Sequence, residues 1–394
     1  CLTLLPATAS ARILLDTNVA PPYQVEVDGK LAGTAVETLD CVFRAIGMPY
    51  SVRVVPWRRA RFNVQNDLSE GLFSAMPFAE VDQYATLSAP LALEKWYWFG
   101  LNEKNLYDDS FPLGRRLGAV LGSNQSGWLA ERGIPVAEEV TSVSQLINLL
   151  ENDRIDAFLA DMDTLNLYLA EHAERPLIYS RFEKYTPLAV YFSNNFLRAR
   201  PDFLDRFNRN MFRCNTASVH LSDAEHSKLM RMIEARLIPL AESTEVVAAL
   251  VNANAERRQL APADIRRLDA QWMAELTQTE QPLIRQIVDD RLSQYLRIVE
   301  EKSAGLYTEI LVMDRLGLNA GISRITSDYW QGDEDKYLKV FPPGSQGAFI
   351  GRIQYDESTR KFQVHTSIRV QDGATGKPIG VMTVGIDVEA MLQE

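Results

Sequence analysis

Along the first half of the chain, short runs of consecutive apolar residues alternate with stretches whose apolar positions recur every three or four. RILLDT (12–17) predicts a buried strand, and Ala20-Pro21-Pro22-Tyr23 breaks it into a loop. Asp28-Gly29-Lys30 is a turn, Thr34 is placed to cap the helix AVETLDCVFRAIG, and Gly47 ends that helix before YSVRVVPW returns as a strand. A helix between two buried strands is a βαβ unit and implies a parallel sheet. The stretch from Val55 to Leu91 adds an amphipathic helix, the buried strand GLFSAM and a turn into Ser88-Ala89-Pro90. A strand end followed by a polar loop is where open α/β sheets place small ligands.

The pattern restarts at Leu117. LGAVLG is a strand, Ser123-Asn124-Gln125 a polar turn and SGWLAERG a helix. Ser142 caps VSQLINLLEN, IDAFLAD is a buried strand, residues 165–172 are helical, and LAVYF (188–192) heads back. Two small α/β lobes, the second inserted into the first and joined by two crossing strands, account for this order. Amphipathic helices follow over 201–214 and 223–235. Residues 243–259, rich in Ala, Glu and Arg, are expected to be a linker. Pro262 and Pro282 then open helices, the second a long one over PLIRQIVDDRLSQYLRIVEEKSAG. The remainder, from TEILVMDRLG to GKPIGVMTVGIDVEAML, reads as an antiparallel sheet with a turn at 372–377.

At 394 residues the chain is too long for one ordinary core. The formal net charge of -11 argues against nucleic-acid or anionic-membrane partners, which need a basic face. Residues 1–11 have an apolar run ending in Ala9-Ser10-Ala11, the small-residue pattern of a signal-peptide cleavage site, so a periplasmic protein beginning at Arg12 is expected. No later stretch reaches the roughly 18 uncharged apolar residues that span a bilayer. Cys41 and Cys214 are left as either one disulfide or two buried thiols.

PPY, DGKLAG, VPW, SAPL and IDAFLAD, in this order, resemble the type II periplasmic solute-binding proteins of the amino-acid-binding family. The resemblance implies a bilobal α/β domain over 12–242, with lobe I at 12–98 and 189–242 and lobe II at 99–188. MDRLGLN, TSDYWQGDE and GKPIGVMTVGID resemble the extracytoplasmic PAS-like Cache sensors, which implies an α+β domain over 260–394 with a long N-terminal helix and an antiparallel sheet.

Catalytic chemistry finds no footing. His220 and His226 lack the i, i+4 spacing of a helical zinc pair, no glycine loop cradles a phosphate, and Asp333-Glu334-Asp335 reads as a solvated helix start rather than a metal loop. No metal or cofactor is expected, and an enzyme on the same bilobal fold is disfavoured. In the family that the first half resembles, an arginine seven residues before the serine of the S-x-P turn clamps the ligand carboxylate. Here that position is Val81, and no arginine occurs between Arg61 and Arg115. Ser123 and Asn124 occupy the lobe II turn, and Asp161 matches the acid that meets a ligand ammonium, or else caps the helix that follows. Ser74, Met76 and Phe78 stand where the cleft is lined on lobe I, and Tyr23 and Trp57 offer apolar walls. The expected ligand is a small molecule with an amine or other cation and no obligatory carboxylate. In the Cache-like part, Asp328, Tyr329, Trp330 and Arg352 are the candidates for a second pocket, Tyr329 and Trp330 having core packing as their alternative. The implied function is sensory input to a membrane receptor. Ligand supply to an amino-acid or amine transporter is the alternative.

Overall fold

The computed structural model describes residues 12–172, 176–214, 220–345, 347–356 and 361–394, so the signal-like residues 1–11 lie outside it. The chain divides into two compact units, residues 1–219 and 220–394.

In the first unit β1 (Ile13–Thr17) is followed by α1 (Thr34–Ile46), β2 (Tyr50–Val54), α2 (Trp57–Gln65) and β3 (Gly71–Ala75). β1 pairs in parallel with β2 and β3, as the βαβ pattern requires. Helix α1 is not capped by Thr34. Its N-cap is Gly33 at φ 113°, and a Cβ there would run into the carbonyls of Pro22 and Tyr23.

Two long strands cross between the lobes. β4 (Ala92–Gly100) runs into lobe II, which contains β5 (Leu117–Val120), α3 (Asn124–Glu131), β6 (Glu138–Val140), α4 (Val143–Glu151), β7 (Ala157–Asp161) and α5 (Met162–Glu171). β8 (Tyr179–Ser193) returns antiparallel to β4, from Tyr179 opposite Gly100 to Leu188 opposite Ala92, and then joins β3 in lobe I. The strand order is β2-β1-β3-β8-β4-β7-β5-β6. β4 is buried at every position, so the hinge strand runs through the core rather than over it. The helix α6 (Phe203–Cys214) packs on α1, and a disulfide joins Cys41 to Cys214. The two cysteines left open above are therefore bonded.

The second unit begins earlier than the sequence pattern suggests. α7 (Asp223–Met232) belongs to it, anchored by a capping box between Ser222 and Glu225 and by Lys228 Nζ on the Leu392 carbonyl. The expected linker is a packed helix, α8 (Thr244–Glu256). It buries Val246, Leu250 and Ala253, and Asn254 Nδ2 donates to the Ile379 carbonyl at 2.7 Å. Then come α9 (Pro262–Glu275), α10 (Pro282–Val288) and α11 (Arg291–Lys302). The single long helix expected from Pro282 is broken because Asp290 caps α11, accepting from Leu292 N–H at 2.8 Å.

The sheet comprises β9 (Tyr307–Asp314), β10 (Asn319–Ile322), β11 (Ala348–Asp356), β12 (Lys361–Gln371) and β13 (Pro378–Asp387), in the order β10-β9-β13-β12-β11, all antiparallel. The string TSDYWQGDE is a loop rather than a strand, and Asp335–Leu338 is a short helix that starts at the acidic run. No helix among the described residues is long and apolar enough to cross a membrane.

Candidate functional site

Between the lobes of the first unit lies a cavity of about 510 Å3. Lobe I and its loops contribute Asn18, Tyr23, Trp57 and Ser74, and lobe II contributes Ser123, Asn124, Gln125, Asp161 and Thr164. Tyr23, Trp57, Ser74, Ser123, Asn124 and Asp161 are thus brought to one space. Met76 is not among the lining residues. It is buried in the lobe I core. Phe78 faces an adjoining hollow of about 400 Å3 beneath Arg61 and shares Trp57 and Asn124 with the main cavity through that hollow.

Val81 is fully buried among Ala60, Val64, Leu72 and Tyr191. The segment is pinned there because Phe78 N–H donates to the Tyr191 hydroxyl, which donates to Asp82 Oδ1 at 2.6 Å. The backbone that would carry a clamping arginine is turned into the core.

Asp161 ends β7 and caps α5, accepting from the Thr164 N–H at 3.0 Å and from the Lys95 N–H at 2.8 Å. The capping role expected as the alternative is thus present, and the same side chain lines the cavity. Tyr23 reaches across from lobe I, its hydroxyl 3.2 Å from Asp161 Oδ2, and the Thr164 hydroxyl donates to the Pro21 carbonyl at 2.8 Å. The lobes are in direct polar contact on both sides of this acid.

Glu94 is the lining residue that pattern reading missed. It sits on β4 and is 7% exposed, with Oε2 accepting from Trp96 Nε1 at 2.7 Å and from Asn124 Nδ2 at 3.2 Å. Burial, then the neighbouring Asp161 charge, pushes Glu94 up to about 8. Burial, then Asp163, pushes Asp161 up to about 7. Burial likewise raises Tyr23, with Asp161 next in effect. Among the described residues, no lysine, arginine or histidine lines the cavity. Trp57 Nε1 is buried without a partner, and Ser74 stands at φ 61° with its hydroxyl held by Gln24 Nε2. A non-glycine residue held at positive φ marks a position fixed by its surroundings.

In the second unit Tyr329 stacks on Trp272 with ring centroids 5.3 Å apart, and both are buried. The backbone N–H groups of Tyr329 and Trp330 both donate to Asp269 Oδ1 at 2.9 Å, and Trp330 Nε1 donates to the Leu316 carbonyl. Both rings close the core. The Asp328 carbonyl accepts from Asn319, Thr326 and Gln331, and Arg352 is exposed on β11. The packing alternative for Tyr329 and Trp330 is thus seen in their described contacts.

No family model matches the chain. Over 228 residues it is 23% identical to a protein of Campylobacter jejuni named "Probable histidine-binding protein", covering 53% of this chain and 82% of that one. Among solved structures it is similar to the arginine-, lysine-, histidine-binding protein ArtJ of Geobacillus stearothermophilus, at 16% identity and a TM-score of 0.41 over 51% of this chain and 88% of the other. It is also similar to a histidine kinase sensor domain with similarity to periplasmic binding proteins, at 16% identity and a TM-score of 0.42 over 52% and 90%. The chain is a mixed α/β protein: its first unit is a bilobal domain that is periplasmic-binding-protein-like in fold, and its second is a sheet domain.

Proposed function

We propose that the first unit binds a small amine-bearing ligand between its lobes, and that the chain is an exported sensory binding protein. The observation that carries this reading is the charge of the cavity. Glu94 and Asp161 are both buried on its walls, and among the described residues no basic side chain lines it. A buried carboxylate is stabilised by an opposite charge, and an ammonium supplies one. Histidine, in the name of the Campylobacter relative, would bring an amine to these acids. Its carboxylate would meet no guanidinium, because Val81 is in the core.

The Cys41–Cys214 bond fits an oxidising compartment such as the periplasm. A second unit built of helices and a five-stranded antiparallel sheet fits a Cache-like module that passes on the state of the first, with a membrane receptor as the partner. Its role is relay rather than a second pocket, since the Tyr329 and Trp330 rings are committed to packing. The alternative reading is that the chain hands its ligand to an import complex.

Thermal-shift measurements on the purified chain test the ligand class. Simple amines are expected to raise the melting temperature. Strong stabilisation by ordinary α-amino acids together with none by amines would overturn the reading.

A further inference from the structure

The two acids of the cavity can be counted against everything that faces them. Glu94 is met by the Trp96 indole and by the Asn124 and Gln125 amides, all neutral donors. Asp161 is met by backbone N–H groups of Lys95 and Thr164 and by the Thr164 and Tyr23 hydroxyls, again neutral. Asp163 adds a like charge near Asp161. Lys184 on β8 is a cation that acts on Glu94; its ammonium lies over the Trp96 ring, 5.4 Å from its centroid, and does not line the cavity. Two carboxylates, each more than nine-tenths buried, therefore share one space with no basic side chain in it among the described residues.

We propose that the ligand is a dication: two ammonium or amidinium-type groups carried on an apolar spacer, one for Glu94 and one for Asp161. This rests on the amine reading above and deepens it. A monocation pairs with one acid and leaves the other either protonated, and so without a cation, or charged in a dry wall, and the charged form is costly. A dication neutralises both. The same cavity is lined by Tyr23, Trp57, Leu121 and Leu159, apolar walls that suit a methylene spacer, and the rings offer cation–π attraction. The raised proton affinity of both acids agrees with this, since below about pH 7 a ligand cation displaces a proton from each.

Isothermal titration calorimetry of the full chain near pH 8 reads the difference. The probes are the α,ω-diamines from ethylenediamine to hexamethylenediamine and the n-alkylamines of the same carbon counts. At least one diamine is expected to bind about tenfold or more tightly than every monoamine. Glu94→Gln is expected to shrink that advantage to about threefold or less. A second measurement does not depend on the variant folding. Titration at neutral pH in buffers of different ionisation enthalpy counts protons, and the best diamine is expected to release more of them than a monoamine. A monoamine that matches every diamine in affinity and in proton release overturns the dication and leaves the amine reading standing. No binding by any amine overturns both.

Discussion

The hydroxyl of Tyr23 on lobe I lies 3.2 Å from Asp161 Oδ2 on lobe II, so an acid of the cavity wall also ties the lobes together. Tyr23→Phe keeps the ring wall and removes that tie. Clefts of this kind close by hinge motion, and losing one polar contact of the closed form weakens binding by about the value of a hydrogen bond to a charged group, roughly 1.5–3 kcal/mol. Amine affinity is expected to fall at least tenfold, with a modest fall in the apo melting temperature because the hydroxyl also donates to the Leu93 carbonyl at 3.0 Å. An unchanged Kd would mean that the tie plays no part in closure.

The acid pair also sets a pH dependence of the empty protein. Both carboxyls hold their protons in the folded state to about 7 and about 8, far above the ordinary value near 4 that they regain on unfolding. In that interval the folded state binds more protons than the unfolded one, so stability contributed below pH 4 is lost as pH rises through 7 and 8. Between about pH 5 and pH 8.5, wild type should lose stability relative to Glu94→Gln, read as the difference in denaturation midpoints. A wild type that gains on the variant over this range would reverse the assignment. Amine affinity should rise with pH over the same interval.

Restoring the arginine that the family pattern would place at position 81 should fail. Val81 is fully buried against Val64, Leu72 and Tyr191. Val81→Arg puts a guanidinium in that core at a cost of several kcal/mol, on the order of 3 or more. The variant is expected to unfold early and to gain no affinity for carboxylates. A stable Val81→Arg protein that binds an α-amino acid would show that the 78–83 segment can turn toward the cleft.

The lobes were legible because their strands are uninterrupted apolar runs, and Asp161 because its place at a strand end before a helix is a local feature. Glu94 was not, since a lone acid in ALEKWYWFG gains meaning only from Asn124 and Gln125, about thirty residues away in sequence. Met76 and Phe78 could not be sorted, because period-two alternation names two faces without saying which meets a cavity. The 243–259 stretch looked like a linker from its composition, yet Val246, Leu250 and Ala253 already formed a stripe at helical spacing. TSDYWQGDE was specific as a string, and its aromatics turned out to serve packing against Trp272.

The bond between Cys41 and Cys214 has a mechanical consequence. It spans 173 positions and encloses the whole of lobe II in one covalent loop whose ends both lie in lobe I. A backbone cut anywhere in lobe II leaves the two fragments joined until a thiol is added. Tension applied along the chain from beyond residue 214 passes through sulfur into α1, and lobe II, off that load path, stays free to swing on β4 and β8.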